Sequence, residues 1–191
     1  MRPIIKVNFS TIYLDREWVL VLNPNDELRR LDGQDLDAVP SLLVRLVVTA
    51  DDAEAVIDRV REVLRAVVPM SAEQLDREAE HPAVLPPWFV DRCAPEMTPV
   101  EAANWLAWWR GLDPEGQAGA EEEKGWTLPD WLYWMRPDER QWYWWSLSVK
   151  SERSATLAVA VPGLPVPLGA LRWLLKVAGA HSVDQVAIEP Q

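Results

Sequence analysis

The residues most suited to chemistry lie in a tryptophan-rich stretch between Trp105 and Trp145. The second half of this stretch places carboxylates and guanidinium groups among indole side chains. Carboxylates beside indole faces suit the binding of a polyol or sugar, and a pair of carboxylates could share the acid and base roles of glycoside hydrolysis. The candidate ligand- or partner-binding residues are Trp134, Asp138, Glu139, Arg140, Trp142 and Trp144.

The charged residues of this stretch also have a purely structural interpretation, which we favour. Asp130 and Asp138 occupy positions that suit the capping of a helix or the turning of the chain. Arg136 and Arg140 would then form surface ion pairs, which contribute little to stability and carry no reaction. We therefore predict no catalytic residue here and keep binding as the candidate role of the stretch.

Other catalytic and cofactor-binding motifs are missing from the sequence. Its 8 glycines form neither a phosphate-binding loop followed by Lys and Ser or Thr nor a dinucleotide-binding pattern. His81 and His181 are distant in sequence, and neither has zinc-ligand spacing with Cys93. Arg92 could activate Cys93 as a nucleophile, but a single cysteine is more often a small buried hydrophobe. We expect no cofactor and no metal.

A predicted strand at residues 141–150 carries two of the candidate tryptophans. Alternation with a period of two gives this strand two faces, and the more apolar one predicts the core side. That face consists of Tyr143, Trp145, Leu147 and Val149. On the other face, Trp142 and Trp144 are either covered by another layer of the protein or part of a binding surface. We favour the covered alternative, because large aromatic side chains more often belong to the core.

A hairpin is predicted to follow, with residues 151–154 turning the chain into a second strand at 155–161. The apolar faces agree whether Val149 lies beside Leu157 or beside Ala155. The other face of the pair would hold four small side chains, namely Ser146, Ser148, Ala158 and Ala160. Small side chains permit the close approach of a helix, so we expect a second packed layer over that face.

The amino-terminal part of the chain predicts three strands and one helix. Alternating or continuous apolar residues indicate strands at 5–14, 17–22 and 42–49. Residues 27–40 contain turn-forming residues and are predicted to be irregular. Residues 51–54 give an N-cap with a glutamate three residues on, and an apolar stripe from Val56 to Val67 predicts an amphipathic helix that Pro69 ends.

The middle of the chain predicts helices separated by prolines. Capping-box patterns begin at Ser71 and Thr98, and Thr127 precedes a third, largely apolar helix. The helix after Thr98 carries three tryptophans within two turns, which predicts a helix packed in the interior. Residues 113–125 contain glycines and three successive glutamates, so we expect a flexible loop there.

Together these elements predict an α+β fold, with a mostly antiparallel or mixed sheet of about five or six strands packed against amphipathic helices and a Trp-rich helical middle segment. A helix at 167–178 and a strand at 183–189 complete the pattern. The simplest organisation for this length is a single globular domain, residues 1–191. Its expected parts are a strand-rich unit ending in a helix at 1–69, a helical Pro- and Trp-rich segment at 70–140, and a hairpin-helix-strand unit at 141–191.

The charge of the chain limits its partners. The formal net charge is -11 and the isoelectric point is near 4.6. Nonspecific binding to nucleic acid or to an anionic membrane is disfavoured, because both depend on cationic side chains that meet phosphates. A basic protein partner fits this charge better.

Residue usage also predicts the compartment. Cys93 is the only cysteine, which excludes an intramolecular disulfide and suits a reducing environment. No apolar run approaches the roughly 20 residues that span a bilayer, and Lys6 and Asn8 interrupt the first apolar residues. We expect a cytoplasmic protein. Arginine outnumbers lysine 15 to 4, a ratio typical of high-GC coding, so we expect a bacterial source.

Two functional hypotheses follow from the sequence. The leading one is a noncatalytic protein-interaction module whose acidic, Trp-bearing surface binds another protein, as an antitoxin or immunity protein would. It rests on the charge, the 12 tryptophans and the scarcity of catalytic residue types. The alternative is a small-molecule or glycan-binding domain, or a hydrolase, that uses Trp142, Trp144 and the neighbouring carboxylates.

Overall fold

The computed structural model describes residues 23–37, 40 and 42–190. Within them the chain forms eight helices and four strands, so the predicted α+β class is confirmed. The helices are α1 (Pro24–Leu31), α2 (Ala53–Val67), α3 (Ala72–Glu80), α4 (Pro87–Val90), α5 (Pro99–Trp109), α6 (Pro114–Lys124), α7 (Leu128–Met135) and α8 (Gly169–Val177). The strands are β1 (Leu42–Thr49), β2 (Tyr143–Ser151), β3 (Ser154–Ala160) and β4 (Ser182–Pro190).

The four strands form one antiparallel sheet in the order β2-β3-β1-β4. Helix α2 follows β1 and helix α8 links β3 to β4, which gives the split β-α-β-β-α-β (ferredoxin-like) arrangement. Helices α3 to α7 are inserted between α2 and β2. The described sheet has fewer strands than the five or six expected. The two further strands predicted at 5–14 and 17–22 lie outside the described residues.

One face of the sheet forms the main hydrophobic core with the helices. In β1, Val44, Leu46 and Val48 are fully buried and alternate with less buried residues. Leu157 of β3 pairs with Leu46 and joins the same core. Helix α2 buries its apolar stripe against this face, as the amphipathic pattern predicts, because residues three and four apart share one side of a helix.

Strand β2 departs from the predicted alternation at a β-bulge. The register with β3 shifts between Trp144 and Ser146, so Trp145 is an extra residue without a partner in β3. Trp142 and Trp144 consequently face the main core. The prediction that the odd-numbered residues form the core face is therefore wrong up to the bulge, whereas Leu147 after the bulge packs against the main core as predicted. Val149 is 45% exposed, and Trp145 packs on the opposite face of the sheet.

The opposite face of the sheet carries a small apolar cluster next to β2. Its members are Leu43, Ala158 and Ala160, with Trp145 packed against them. Arg30 of α1 places its guanidinium carbon 3.6 Å from the centre of the Trp145 ring. Ser146 and Ser148 are exposed. An indole and a guanidinium group thus cover the alanine half of the small-residue patch, where the sequence pattern predicts a helix.

Helix α1 begins just before the segment predicted to be irregular and occupies its first residues. Asn23 caps the helix by accepting the Asn25 amide at 3.0 Å, and Pro24 holds the first helical position. Residues that suit a turn here start a helix. A helix of eight residues is marginal in isolation, and packing against β2 stabilises this one. Such long-range packing has no counterpart in the local sequence pattern.

Helix α6 occupies most of the segment for which we expect a flexible loop, residues 113–125. Asp113 caps the helix by accepting the Gly116 amide at 2.8 Å. Gly125 follows the last turn with a φ of +68°, a conformation that glycine adopts without strain. The sequence of α6 has no apolar stripe, which explains why the pattern predicts a loop. Contacts with α5 stabilise the helix.

Candidate functional site

Trp142 and Trp144, two of the candidate rings, lie at the start of β2 and are buried in the main core. Each is 1% exposed. The guanidinium carbon of Arg140 lies 5.3 Å from the centre of the Trp142 ring, and that of Arg61 lies 5.8 Å from the Trp144 ring. Both distances fit cation–π contacts. Of the two alternatives left by the sequence, the covered one is found, and neither ring offers a face to a ligand in this conformation.

Arg140 forms a buried, bidentate ion pair with Glu27 of α1. Its Nη1 donates to Oε1 at 2.9 Å, and its Nη2 donates to Oε2 at 2.6 Å. The Trp144 amide also donates to Glu27 Oε1, at 2.8 Å. Arg140 was a candidate for a surface ion pair, and the pair is instead interior. This pair joins α1 to the start of β2. Removing either partner would leave an uncompensated buried charge, which is strongly destabilising.

Trp134, Asp138 and Glu139 lie at the carboxyl end of α7 and in the residues that follow it. Glu139 accepts the Tyr133 hydroxyl at 2.6 Å, and this hydrogen bond raises the pKa of Tyr133. The Trp134 ring meets Tyr133 edge to face. Arg136 Nε is 3.9 Å from the largely exposed carboxylate of Asp138. Arg136 Nη2 also lies 3.7 Å from the largely exposed carboxylate of Asp76 in α3, so Arg136 forms ion pairs at the surface, as the structural interpretation predicts.

The six candidate residues therefore divide between two environments. The interior group is Arg140, Trp142 and Trp144, and the group with access to solvent is Trp134, Asp138 and Glu139. Because one group is buried, the six do not share one solvent-exposed face. The binding role of these residues stays a prediction.

Cys93, the single thiol of the chain, is poorly suited to act as a nucleophile. Its Sγ donates to the Phe89 carbonyl at 3.5 Å, and burial raises the pKa of the thiol to about 11. A thiol with this pKa is protonated near neutral pH, whereas the thiolate is the reactive form. Cys93 therefore behaves as a small, partly buried apolar residue.

The described ranges 23–37, 40 and 42–190 contain no group of three or more His, Cys, Asp and Glu side chains that could hold a metal ion. Over the same residues, no helix is long and apolar enough to cross a membrane.

Helices α5 and α6 form a hairpin in which the two helices contact each other and, of the residues that the structure describes, contribute none to the main core. Thr98 and Glu101 make the predicted capping box at its start, with the Thr98 amide donating to Glu101 Oε2 at 2.8 Å. Gln117 Nε2 donates to the Trp109 and Leu112 carbonyls, and the Trp109 indole donates to the Gln117 carbonyl at 3.3 Å. These bonds join the two helices, although no side chain of α5 is buried.

An open groove of about 530 Å³ lies between α5, the segment before it and α6. Trp105 and Trp108 line it, with their ring centres 6.4 Å apart. Trp108 is 54% exposed. Glu101 lies on the same side of α5, because residues three and four apart share a helix face. We call this the aromatic groove, and define it by Met97, Glu101, Trp105, Trp108, Glu123 and Lys124.

The aromatic groove has an acidic rim. Glu96 also lines it, so the lining has three carboxylates, Glu96, Glu101 and Glu123, and one ammonium, Lys124, a formal net charge of -2. The Thr98 amide and then its hydroxyl donate to Glu101, and these bonds lower the pKa of Glu101. The Lys124 ammonium lies 4.5 Å from the centre of the Trp105 ring, a cation–π contact inside the groove. The groove therefore combines indole surface with negative charge.

The exposure of α5 contradicts the prediction that its tryptophans pack in the interior. The local sequence pattern does not predict this exposure, because a short helix with apolar residues on most sides is normally buried. Its exposure depends on which distant segments pack near it, and α6 is its main neighbour. The sequence therefore pointed to the tryptophan-rich stretch as a candidate region but placed the candidate residues at its carboxyl end.

The chain matches no protein-family model, no curated protein and no solved structure.

Proposed function

We propose that the protein is a noncatalytic protein-interaction module that binds another protein through the aromatic groove. The observation that carries this proposal is the 54% exposure of Trp108 on a helix without a buried side chain. An indole that remains in water leaves a large apolar surface uncovered. Exposed apolar surface with a polar rim is typical of interaction sites, and tryptophan is enriched among the residues that dominate binding energy.

The open shape of the aromatic groove supports a protein partner. Small molecules bind in concave pockets that cover most of their surface. Here Trp105 and Trp108 lie side by side along α5, and the groove that they form with α6 and the segment before α5 stays open to solvent. A groove of this kind suits an extended segment or a helix, whose side chains can enter at regular intervals. An antitoxin or immunity protein acts in this way, by occupying a surface of its partner.

The groups in the groove support binding without catalysis. A general acid or base works best with a pKa near the operating pH, and the hydrogen bonds from Thr98 shift the pKa of Glu101 in the opposite direction. Lys124 is engaged with the Trp105 ring. Neither residue therefore has the environment that an acid–base catalyst requires.

The proposal is tested by recovering complexes from cells of the source organism with the tagged full-length chain. Three versions are compared: wild type, Trp108→Ala, and Val186→Ala as a control. Val186 is 57% exposed on β4, away from the groove, so the control removes exposed apolar surface of another face. We expect the same specific protein with wild type and Val186→Ala and its loss with Trp108→Ala, because the substitution removes the exposed indole.

Two results would contradict the proposal. One is a partner that all three versions recover equally, which would place the interface elsewhere. The other is a glycan or small molecule that raises the melting temperature of wild type but not of Trp108→Ala, which would favour the alternative function of ligand binding. Asp138→Asn then shows whether a ligand uses the candidate carboxylate after α7.

A further inference from the structure

The charge of the α5–α6 hairpin indicates which kind of protein fits the aromatic groove, an inference that rests on the proposed function. Residues 99–124 contain six carboxylates and two cationic side chains, a formal net charge of -4. The groove lining carries -2, and the whole chain carries -11. A second copy of the chain or an acidic protein would bring like charges together, which disfavours association. A cationic segment would be attracted.

Contacts between cations and indoles recur within this molecule. The guanidinium carbon of Arg30 lies 3.6 Å from the Trp145 ring centre, and Lys124 Nζ lies 4.5 Å from the Trp105 ring centre. The second of these contacts is in the aromatic groove itself. It shows that an indole in this groove accepts a positive charge beside acidic neighbours, which is the chemistry that a cationic partner would need at Trp108.

We propose that the aromatic groove binds a cationic segment of another protein, with an arginine side chain stacked on the exposed face of Trp108. The rim carboxylates Glu101 and Glu123 balance the charge of that arginine. An apolar side chain next to the arginine packs against Trp105 and Met97.

Arginine fits this position better than lysine for a geometric reason. A guanidinium group is planar, so its face can stack on an indole while its N–H groups point outward along its edge. Those N–H groups can pair with a carboxylate in two parallel hydrogen bonds. Glu101 lies two turns before Trp108 on the same side of α5, and Glu123 approaches from α6. The lysine ammonium is a compact charge and cannot use a flat face and an edge together.

The test uses a displayed library of random peptides as the probe and the full-length chain as the target. Peptides are selected on wild type and depleted on Trp108→Ala, so that only Trp108-dependent binders remain. Selected peptides are then synthesised with arginine or with citrulline, which has nearly the same shape without the charge. Circular dichroism and melting temperature establish that each protein variant is folded.

Two double variants separate groove carboxylates from general charge attraction. Glu101→Gln with Glu123→Gln removes two charges from the rim, and glutamine still suits the capping box. Glu54→Gln with Glu73→Gln removes two exposed charges from the first turns of α2 and α3. The net charge of the chain changes equally in both cases, so that any difference in peptide affinity arises from position.

We expect the Trp108-dependent peptides to be enriched in arginine next to apolar residues. Trp108→Ala should weaken the binding of an arginine peptide about 5- to 30-fold, the range of a partly to fully desolvated cation–π contact. Citrulline in place of arginine should cause a loss of the same order. The groove double variant should weaken binding, whereas the control double variant should change it by no more than about twofold, because distant exposed charges are screened.

The outcomes distinguish this inference from the proposed function. Trp108-dependent peptides that are acidic or uncharged, or citrulline peptides that bind as well as arginine peptides, overturn the cationic segment and leave the interaction function in place. Equal losses of peptide affinity in the two double variants also overturn it, because the peptide would then be attracted by the net charge of the chain and not by the groove carboxylates. If no peptide depends on Trp108 and the complex from source cells also survives Trp108→Ala, the inference and the proposed function both fail.

Discussion

Tryptophans in two neighbouring regions of this chain have opposite environments. Trp131 and Trp144 are buried in the main core, whereas Trp105 and Trp108 line an open groove. Distant segments cover the first pair, and the Trp131 indole donates to the carbonyl of Ala170 in α8 at 3.0 Å. The second pair lies on a hairpin whose two helices are adjacent in sequence. The number of tryptophans therefore indicates how much apolar surface the chain contains, and long-range packing determines which of these side chains are buried.

This contrast separates residues that hold the fold from residues that remain available to a partner. Substitutions in the core region should lower the free energy of unfolding, whereas substitutions in the aromatic groove should leave it nearly unchanged and alter binding. The expected loss of stability is largest at Trp131 in the core and smallest at Trp108 in the aromatic groove.

Trp131→Ala should cause the largest loss, about 4 kcal/mol of the free energy of unfolding. The Trp131 ring is fully buried, and its centre lies 4.6 Å from that of Phe89. Truncation removes a large apolar surface, leaves a cavity and deletes the hydrogen bond to Ala170. Urea unfolding followed by circular dichroism measures the change. A loss below about 1 kcal/mol would mean that Trp131 is not a core residue in solution.

Glu27→Gln should lower the free energy of unfolding by about 3 kcal/mol. The substitution keeps the shape of the side chain but leaves the buried guanidinium of Arg140 without its counter-charge. Asp138→Asn is the matched control, because it removes one carboxylate charge at a largely exposed position. Chemical unfolding of both variants should show a loss for Glu27→Gln alone. Equal effects would indicate that the Glu27–Arg140 pair is solvated.

Glu78→Gln should lower the free energy of unfolding by about 1.5 kcal/mol. Glu78 is buried, and its Oε1 accepts the amides of Ala83, Val84 and Leu85 at 2.7 to 2.9 Å. An amide oxygen accepts these hydrogen bonds more weakly than a carboxylate does. The exposed Glu80→Gln is the control. If thermal unfolding shows the two variants to be equally stable, these three amides do not depend on the charge of Glu78.

Thr98→Ala should act locally, weakening the first turn of α5 by about 1 kcal/mol because the capping hydroxyl is lost. Amide hydrogen exchange in α5 measures this, and exchange in β1 should not change, since a hairpin without buried side chains in α5 can open by itself. The lowered pKa of Glu101 adds a pH dependence. Its contribution is present above the unfolded pKa and is lost as the pH falls through the lower folded pKa. Equal acceleration in α5 and β1 would contradict this independence.

Trp108→Ala should change the free energy of unfolding by less than about 0.5 kcal/mol. The ring is largely exposed, so truncation creates no cavity in the core. Differential scanning calorimetry of this variant beside Trp131→Ala tests the contrast between the two regions directly. A loss at Trp108 comparable with that at Trp131 would show that another part of the chain covers the groove.

Several elements could be predicted because their causes are local. The capping boxes at Ser71 and Thr98 begin helices as predicted, since each needs only residues three positions apart. The amphipathic helix predicted between residues 51 and 69 forms as α2, because its apolar stripe has the helical period. The hairpin pairs Val149 with Ala155, one of the two registers that the apolar faces allow.

Other features escaped prediction because their causes lie far apart in sequence. The bulge at Trp145 transfers that ring to the other face of the sheet, where Arg30 stacks on it. Helix α1 depends on the pair between Glu27 and Arg140, which are 113 residues apart. A period-two pattern assumes unbroken alternation and contains no information about either contact.

The candidate site illustrates the same division. The aromatic and acidic character of the middle segment was readable from residue types, since it depends on composition alone. Which indoles stay in water was not readable, because Trp142, Trp144 and Trp108 have the same side chain and similarly apolar neighbours. Their different exposure arises from the helices that pack on the sheet and from the separate pairing of α5 with α6.

Short-range chemistry thus set the charge, the helix starts, the strands and the apolar stripes of this protein, since each depends on residues within a few positions of one another. Long-range packing set the position of α1, the bulge in β2, the burial of Trp142 and Trp144, and the exposure of Trp108. The physical reason is that a side chain is buried only when a second surface packs against it, and a local residue pattern describes only the first of the two surfaces. The second surface comes from elsewhere in the chain or, as we propose for the aromatic groove, from a partner.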